Sequence, residues 1–225
     1  MKKKSKRYKN LLKTSSKDKK LATKEILDLV KKNSSVKFDE SIDVSLRINI
    51  KQSKGGDFSL RTVVKLPNGS GKKNKIAVLC EPEKTDSAKK AGADVVGSDD
   101  LIEKIAAGKF NFTKLICTPA MMGKIGKHGK VLGPKGLMPN PKLGTVTNDI
   151  KKTVNDIKSG LVEIKNDKDG NIGVSIGRKS YSLEKIEENY KFIIDFIKKE
   201  KSENIKGEFI KSVSLSSTMG LSYRN

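Results

Sequence analysis

A chain of 225 residues is long enough for one large domain or two ordinary ones. Its hydrophobic content of 35% supports modest cores, but its longest apolar runs, such as Ile76 to Cys80, are strand-sized, which argues against a membrane span. A net charge of +22 repels itself in the compact state and attracts polyanions, so a nucleic acid is the first partner to consider.

Of the 48 basic residues only five are arginines: Arg7, Arg47, Arg61, Arg178 and Arg224. Lysine is a hydrated point charge, suited to phosphates and poor at forked recognition of a base edge. The composition therefore points to backbone binding. Residues 1–20 are rich in lysine but lack the apolar core of a secretory signal. A transit peptide favours arginine and amphipathicity, whereas here lysine dominates, with only Leu11 and Leu12 to offer. They read as a solvated tail or as an arm lying along a phosphate backbone.

In chain order, Thr23 to Lys32 repeats apolar residues at helical spacing, with Thr23 as N-cap. Residues 42–50 alternate strictly: Ile42, Val44, Leu46, Ile48 and Ile50 on one face, Asp43, Ser45, Arg47 and Asn49 on the other. That is a half-buried strand. The KGGD loop (Lys54 to Asp57) leads into a second strand, LRTVVKL, and LPNGSGK (Leu66 to Lys72) reads as a turn or hinge.

Beyond Gly71 the rhythm becomes strand, helix, strand, helix, strand: KIAVLC, TDSAKKAGA ending at Gly92, DVVG, SDDLIEKIAAGK with Ser98 as N-cap, and FTKLICT. Such alternation predicts a parallel sheet covered by helices. Cys80 and Cys117 close two of these strands and read as buried, reduced thiols. The single histidine, His128, makes no ligand cluster with them, so no metal is expected.

Gly126 to Gly144, GKHGKVLGPKGLMPNPKLG, follows as an irregular basic segment, because its glycines and prolines oppose both helix and central strand. Residues 149–160 then read as a helix with Ile150, Val154 and Ile157 in phase. LVEIKNDKDGNIGVSIG reads as a hairpin turning at Lys168, Asp169 and Gly170. A strong amphipathic helix spans Leu183 to Lys199, and EFIKSVSLSSTMG supplies another alternating strand. In it Val213 and Leu215 point inward, while Ser212, Ser214 and Ser216 form a hydroxyl row. The expected fold is α/β overall, with α+β ends around an α/β middle.

Several chemistries find no support. No GxGxxG follows a strand and no GxxxxGK[ST] occurs, so a nucleotide-dependent α/β enzyme lacks its phosphate loop. His128 has no nucleophile partner, and no catalytic residue or cofactor is expected. IGKHGKVL resembles the GXXG loop of a KH-type single-strand RNA binder, but Pro134, Gly136, Pro139 and Pro141 forbid the helix that loop must open. The aromatic pattern of an RRM is absent.

GKVLGPKGLMPNPKLGTVT (Gly129 to Thr147) resembles the signature of the bacterial large-subunit ribosomal protein L-one family, the protein of the mobile ribosomal stalk. SKRYKNLL, KFDESIDV, LPNGSGK, AKKAGADVVG, KNDKDG and SLSSTMG resemble the same family in the same order. The resemblance implies a nested pair of domains: residues 1–67 with 160–225 as the main rRNA-binding domain, and 68–159 as an inserted Rossmann-like three-layer domain. Hinges are implied at Pro67, Gly69 and Gly71 and at Ser159 and Gly160.

It also implies an rRNA surface of Lys37, Phe38, Glu40, Ser41, Lys165, Ser212, Ser214, Ser216, Thr218, Met219 and Gly220. Hydroxyls there could address phosphates and ribose 2′-OH groups. Lys165, Gly173, Thr62 and the KGGD loop depart from residues common in the family. Lys127, Lys130, Lys135 and Lys142 are candidates for a second RNA contact. The implied partners are large-subunit rRNA, exit-site tRNA and the mRNA of its own operon, for a cytoplasmic, non-enzymatic protein that is monomeric outside the ribosome.

Overall fold

The computed structural model describes residues 5–14, 21–51, 58–108, 110–201, 205 and 207–224. The remainder of the basic tail, residues 1–4 and 15–20, and the KGGD loop lie outside the described residues. The elements in chain order are α1 (Lys6–Thr14), α2 (Thr23–Lys32), β1 (Ser41–Ile48), β2 (Arg61–Lys65), β3 (Ile76–Leu79), α3 (Thr85–Lys90), β4 (Val95–Gly97), α4 (Asp99–Ala106), β5 (Lys114–Cys117), α5 (Pro119–Gly126), α6 (Gly129–Leu132), α7 (Ile150–Lys158), β6 (Leu161–Lys165), β7 (Asn171–Arg178), α8 (Leu183–Lys199), β8 (Ile210–Ser217) and β9 (Ser222–Arg224). The fold is α/β, with helices and strands in both halves. The chain divides into two compact units, Met1–Gly71 with Val162–Asn225, and Lys72–Leu161.

In the first unit β1 is central. The sheet runs β7-β1-β8-β9, and each of its pairings is antiparallel. The alternation along β1 decides its two faces. Ile42, Val44, Leu46 and Ile48 are buried with Ile172, Val174, Ile176 and Leu215 against α2 and α8, which contribute Ile26, Leu27, Val30, Ile186, Ile193 and Ile197. Ser45 and Arg47, on the other face, are exposed.

Residues 161–178 depart from the expected hairpin. β6 pairs with β2 in a separate two-stranded ribbon, and β7 joins β1; only the bridge Asn166↔Ile172 links the two arms. The turn itself forms, with Gly170 at φ +80°. A Cβ there would meet the Ile48 carbonyl oxygen at 2.6 Å, so only glycine fits.

The described part of the N-terminal segment is helix α1, not a solvated tail; its Leu11 is buried. Thr23 begins α2 but does not cap it. Ala22 holds the N-cap position, and its N–H is taken by the Glu25 carboxylate at 3.3 Å.

In the second unit a parallel sheet, ordered β4-β3-β5, is buried on both faces. Ala77, Leu79, Leu115 and Cys117 meet Leu101, Ile105, Met121, Ile125 and Leu132 on one side. Ile76, Val78, Cys80 and Ile116 meet Ala88, Ile150, Val154 and Ile157 on the other. The two cysteines are free, fully buried and belong to different layers. Burial, with a smaller contribution from Cys80, pushes the Cys117 thiol up to about 11.

The glycine- and proline-rich segment is less irregular than its composition suggests. Pro119 opens α5 at its first turn, where a missing N–H is harmless, and α6 adds a single turn at Gly129–Leu132. A 3₁₀ turn at Pro141–Leu143 ends on Gly144 with φ +68°. Val146 then bridges to Cys117 in parallel.

Candidate nucleic-acid interface

At one end of the four-stranded sheet the start of β1 and the end of β8 are tied together. The Ser41 N–H donates to Thr218 Oγ1 at 3.0 Å, the two hydroxyls lie 2.9 Å apart, and the Thr218 N–H donates to the Ser41 carbonyl at 3.1 Å. Below them Glu40 is completely buried. Its carboxylate accepts the Met219 N–H at 3.0 Å and the Val36 N–H at 3.5 Å.

Arg7 from α1 donates to the Met219 carbonyl at 2.9 Å, and Arg178 donates to the Asp39 carbonyl at 2.9 Å. The Asp39 carboxylate in turn accepts the Ser180 N–H at 3.0 Å and hydroxyl at 2.9 Å. Gly220 closes the turn, and a Cβ on it would collide with the Ser217 hydroxyl.

This network holds two large apolar side chains in solvent: Phe38 is 53% exposed and Met219 48%. Left exposed, neither contributes to the core, and both are available to a partner. Lys37 and Thr218 are exposed beside them.

Glu40 requires a correction. Read from sequence as an RNA contact, it has no accessible surface. It acts one layer below, positioning the backbone that carries Phe38 and Met219.

From that end the sheet presents an open face. Ser216 lies opposite Asp43, Ser214 opposite Ser45 and Ser212 opposite Arg47. On the far side of β1 the same residues meet Ser175, Gly173 and Asn171, while Arg224 and Ser222 of β9 stand opposite Ser214 and Ser216. A shallow groove of about 510 Å³ runs over Ser45, Arg47, Asn171, Gly173, Ser212 and Ser214, with Asp167 at its rim. No aromatic ring stands among these outward positions.

The Asp167 carboxylate accepts the Asn171 N–H at 2.7 Å, the Asp169 N–H at 2.9 Å and the Asn171 side-chain amide at 3.0 Å. The Asn171 amide, then these backbone donors, hold the Asp167 carboxyl below the usual carboxylate range. Lys165 is exposed but ends β6, in the β2–β6 ribbon and not in the four-stranded sheet. Arg47 and Arg224 were not among the expected site residues. The signal for Arg47 was its phase with Ser45 in the alternation, whereas Arg224 sits in a three-residue strand too short to show a period.

The lysines of the second unit separate into two kinds. Lys135 lies over the Phe110 ring, 3.7 Å from its centroid, which pins the GPKG turn to the chain before β5. Lys124 pairs with Asp99 at 2.7 Å. The side chains of Lys127, Lys130 and Lys142 are exposed and make no hydrogen bond or ion pair among the described residues.

The expected hinge residues also separate. Asn189 of α8, fully buried, accepts the Asn68 N–H at 3.1 Å and donates to the carbonyls of Gly69 at 3.0 Å and Ile176 at 2.7 Å. Pro67 and Gly69 are therefore fixed within the first unit. The first crossing comes after Gly71, whose φ is +70° and whose missing Cβ leaves room for Arg178. Ser159 caps α7 and Gly160 has φ +104°, both just before the second crossing at Leu161.

Among the described residues no group of three or more His, Cys, Asp or Glu could hold a metal ion, and no helix is long and apolar enough to cross a membrane.

The chain is similar over most of its length to curated proteins. Large ribosomal subunit protein uL1 of Pelagibacter ubique (strain HTCC1062) is 58% identical over 200 residues, 88% of this chain and 87% of that protein. Large ribosomal subunit protein uL1 of Mycoplasma capricolum subsp. capricolum is 46% identical over 217 residues, 96% of this chain and 95% of that protein. The protein of the same name from Mycoplasma mycoides subsp. mycoides SC matches to the same extent. The profile of the ribosomal protein L1p/L10e family covers residues 30–221, and with these identities it shows that the chain belongs to that family.

Proposed function

We propose that this protein is a structural constituent of the large ribosomal subunit that binds a folded element of rRNA through its first unit. The observation that carries this reading is the end of the sheet where Ser41 and Thr218 lock together and buried Glu40 holds Phe38 and Met219 in solvent. Two apolar side chains, a hydroxyl pair and exposed Lys37 supply base, ribose and phosphate contacts at one place. Membership of a ribosomal-protein family sets aside the nucleotide-dependent enzyme.

A KH-type single-strand binder is disfavoured because the GKHG stretch opens only the single turn of α6, Gly129–Leu132, and not the full helix that a nucleotide-clamping GXXG loop requires.

The finer reading is that the second unit, joined by chain crossings after Gly71 and Leu161, moves with the rRNA stalk to assist release of exit-site tRNA. Lys127, Lys130 and Lys142 would meet that tRNA. The same rRNA surface would bind a mimic in the mRNA of its own operon and repress translation. The protein works in the cytoplasm, as a monomer until it joins the subunit.

The test is to mix the purified protein with total cellular RNA and sequence what it retains. Large-subunit rRNA from one folded region is expected, and its loss in Thr218→Val would locate the contact. Retention of unstructured RNA without preference would overturn the reading.

A further inference from the structure

Arginine is distributed unevenly in this chain: none of the five falls in residues 72–161. Arg7 and Arg178 donate to backbone carbonyls around the Phe38–Met219 cluster, and Arg61 pairs with Glu163 at 3.2 Å. Arg47 and Arg224 are the remaining two. Both are exposed on the open face, and neither guanidinium makes a hydrogen bond or ion pair among the described residues.

The register fixes their relation. Arg47 lies opposite Ser212, and Arg224 lies opposite Ser214, so the two are separated by β8 and offset by two residues. Strand spacing and rise put their Cα atoms about 12 Å apart. The ground between them is Ser45, Ser212 and Ser214. Two acids border it: Asp43 is engaged with the Ser41 hydroxyl at 3.2 Å, and Asp167 with the Asn171 amide and the N–H groups of its own turn.

A guanidinium is a flat fork of donors that grips phosphate oxygens in pairs, which an ammonium does not do. In a chain that otherwise uses lysine for charge, two unengaged forks flanking a hydroxyl row match one kind of surface. A folded RNA helix displays 2′-hydroxyls along a wide, shallow minor groove with phosphates at either edge.

We propose that Arg47 and Arg224 are specificity-determining residues that grip the two backbones bordering an RNA minor groove, while the serines between them address its 2′-hydroxyls. The proposal rests on the rRNA-binding reading and extends it beyond the Phe38–Met219 end to the opposite part of the sheet.

The test uses the full chain with Arg47→Lys, Arg224→Lys and the double variant, binding the retained rRNA fragment and a random RNA of equal length. Lysine keeps the charge and removes the fork. The double variant is expected to lose at least tenfold in affinity for the fragment, to stay within twofold on random RNA, and to keep the salt dependence of the parent. Hydroxyl-radical footprinting should show each single variant uncovering a different backbone segment. A double variant that binds the fragment like the parent, or single variants that uncover the same segment, would overturn the proposal. If the parent protein itself does not prefer the fragment, the rRNA reading fails first and this one with it.

Discussion

Glu40 takes a carboxylate into a site without solvent because two backbone N–H groups meet it there. Removing it by Glu40→Ala orphans the Met219 and Val36 donors, at about 1–3 kcal/mol for an unpaired buried group. Thermal unfolding should register this, and rRNA affinity should fall although Glu40 touches no RNA. Glu40→Gln, which keeps one acceptor oxygen, should lie between. The sequence concealed this division of roles, since an acid between Lys37 and Ser41 carries no mark of its burial. Lys135 was concealed in the same way, because its partner Phe110 is 25 residues distant in the chain. Cys117 was legible, being the last residue of an apolar strand. Its thiol is raised from 9.0 to about 11, so the folded state favours the protonated form. That contribution is complete below about 9 and is lost as pH climbs through about 11, and stability should decline over this window in urea titrations. Native-state alkylation of Cys117 at neutral pH should be slow until the second unit opens.

At the scale of elements, α8 does more than cover the sheet. Through Asn189 it fastens the Asn68–Gly69 turn to β7, so that the chain leaves the first unit at a fixed point. Asn189→Ala leaves the buried Ile176 carbonyl unpaired, together with the half-buried Gly69 carbonyl and Asn68 N–H, and should destabilise the protein by about 1–3 kcal/mol in denaturant unfolding. Elements with a clean period were legible in the sequence: β1 from its alternation, α8 from its helical face. Others were not. α1 and α5 were obscured by lysine and by Pro119 and Gly123, because propensity is outweighed by one buried residue such as Leu11 or Met121. β6 and β7 looked like a hairpin because neighbouring strands joined by a turn usually pair. Here the partners are non-local, β2 and β1, and no local pattern could have named them.

For the whole molecule, the excess of lysine predicts rRNA binding that weakens steeply with salt, by a log–log slope of about −0.7 to −0.9 for each phosphate neutralised. Changing Lys127, Lys130 and Lys142 together to Ala should weaken tRNA binding and reduce its salt slope, leaving rRNA affinity within twofold and the unfolding midpoint unchanged, as gel-shift and melting assays would show. The nesting of one unit within the other could not be read from composition; only the resemblance implied it. That nesting has a consequence for synthesis. Residues 72–161 are contiguous and close on themselves as they emerge, but β1 must wait for β7 and then β8, which completes only at Ser217. At about 5–20 residues per second the delay is roughly ten to thirty seconds. Until α8 is complete at Lys199 the apolar face of Ile42, Val44, Leu46 and Ile48 has only α2 to cover it, which leaves half of the future core exposed on the nascent chain.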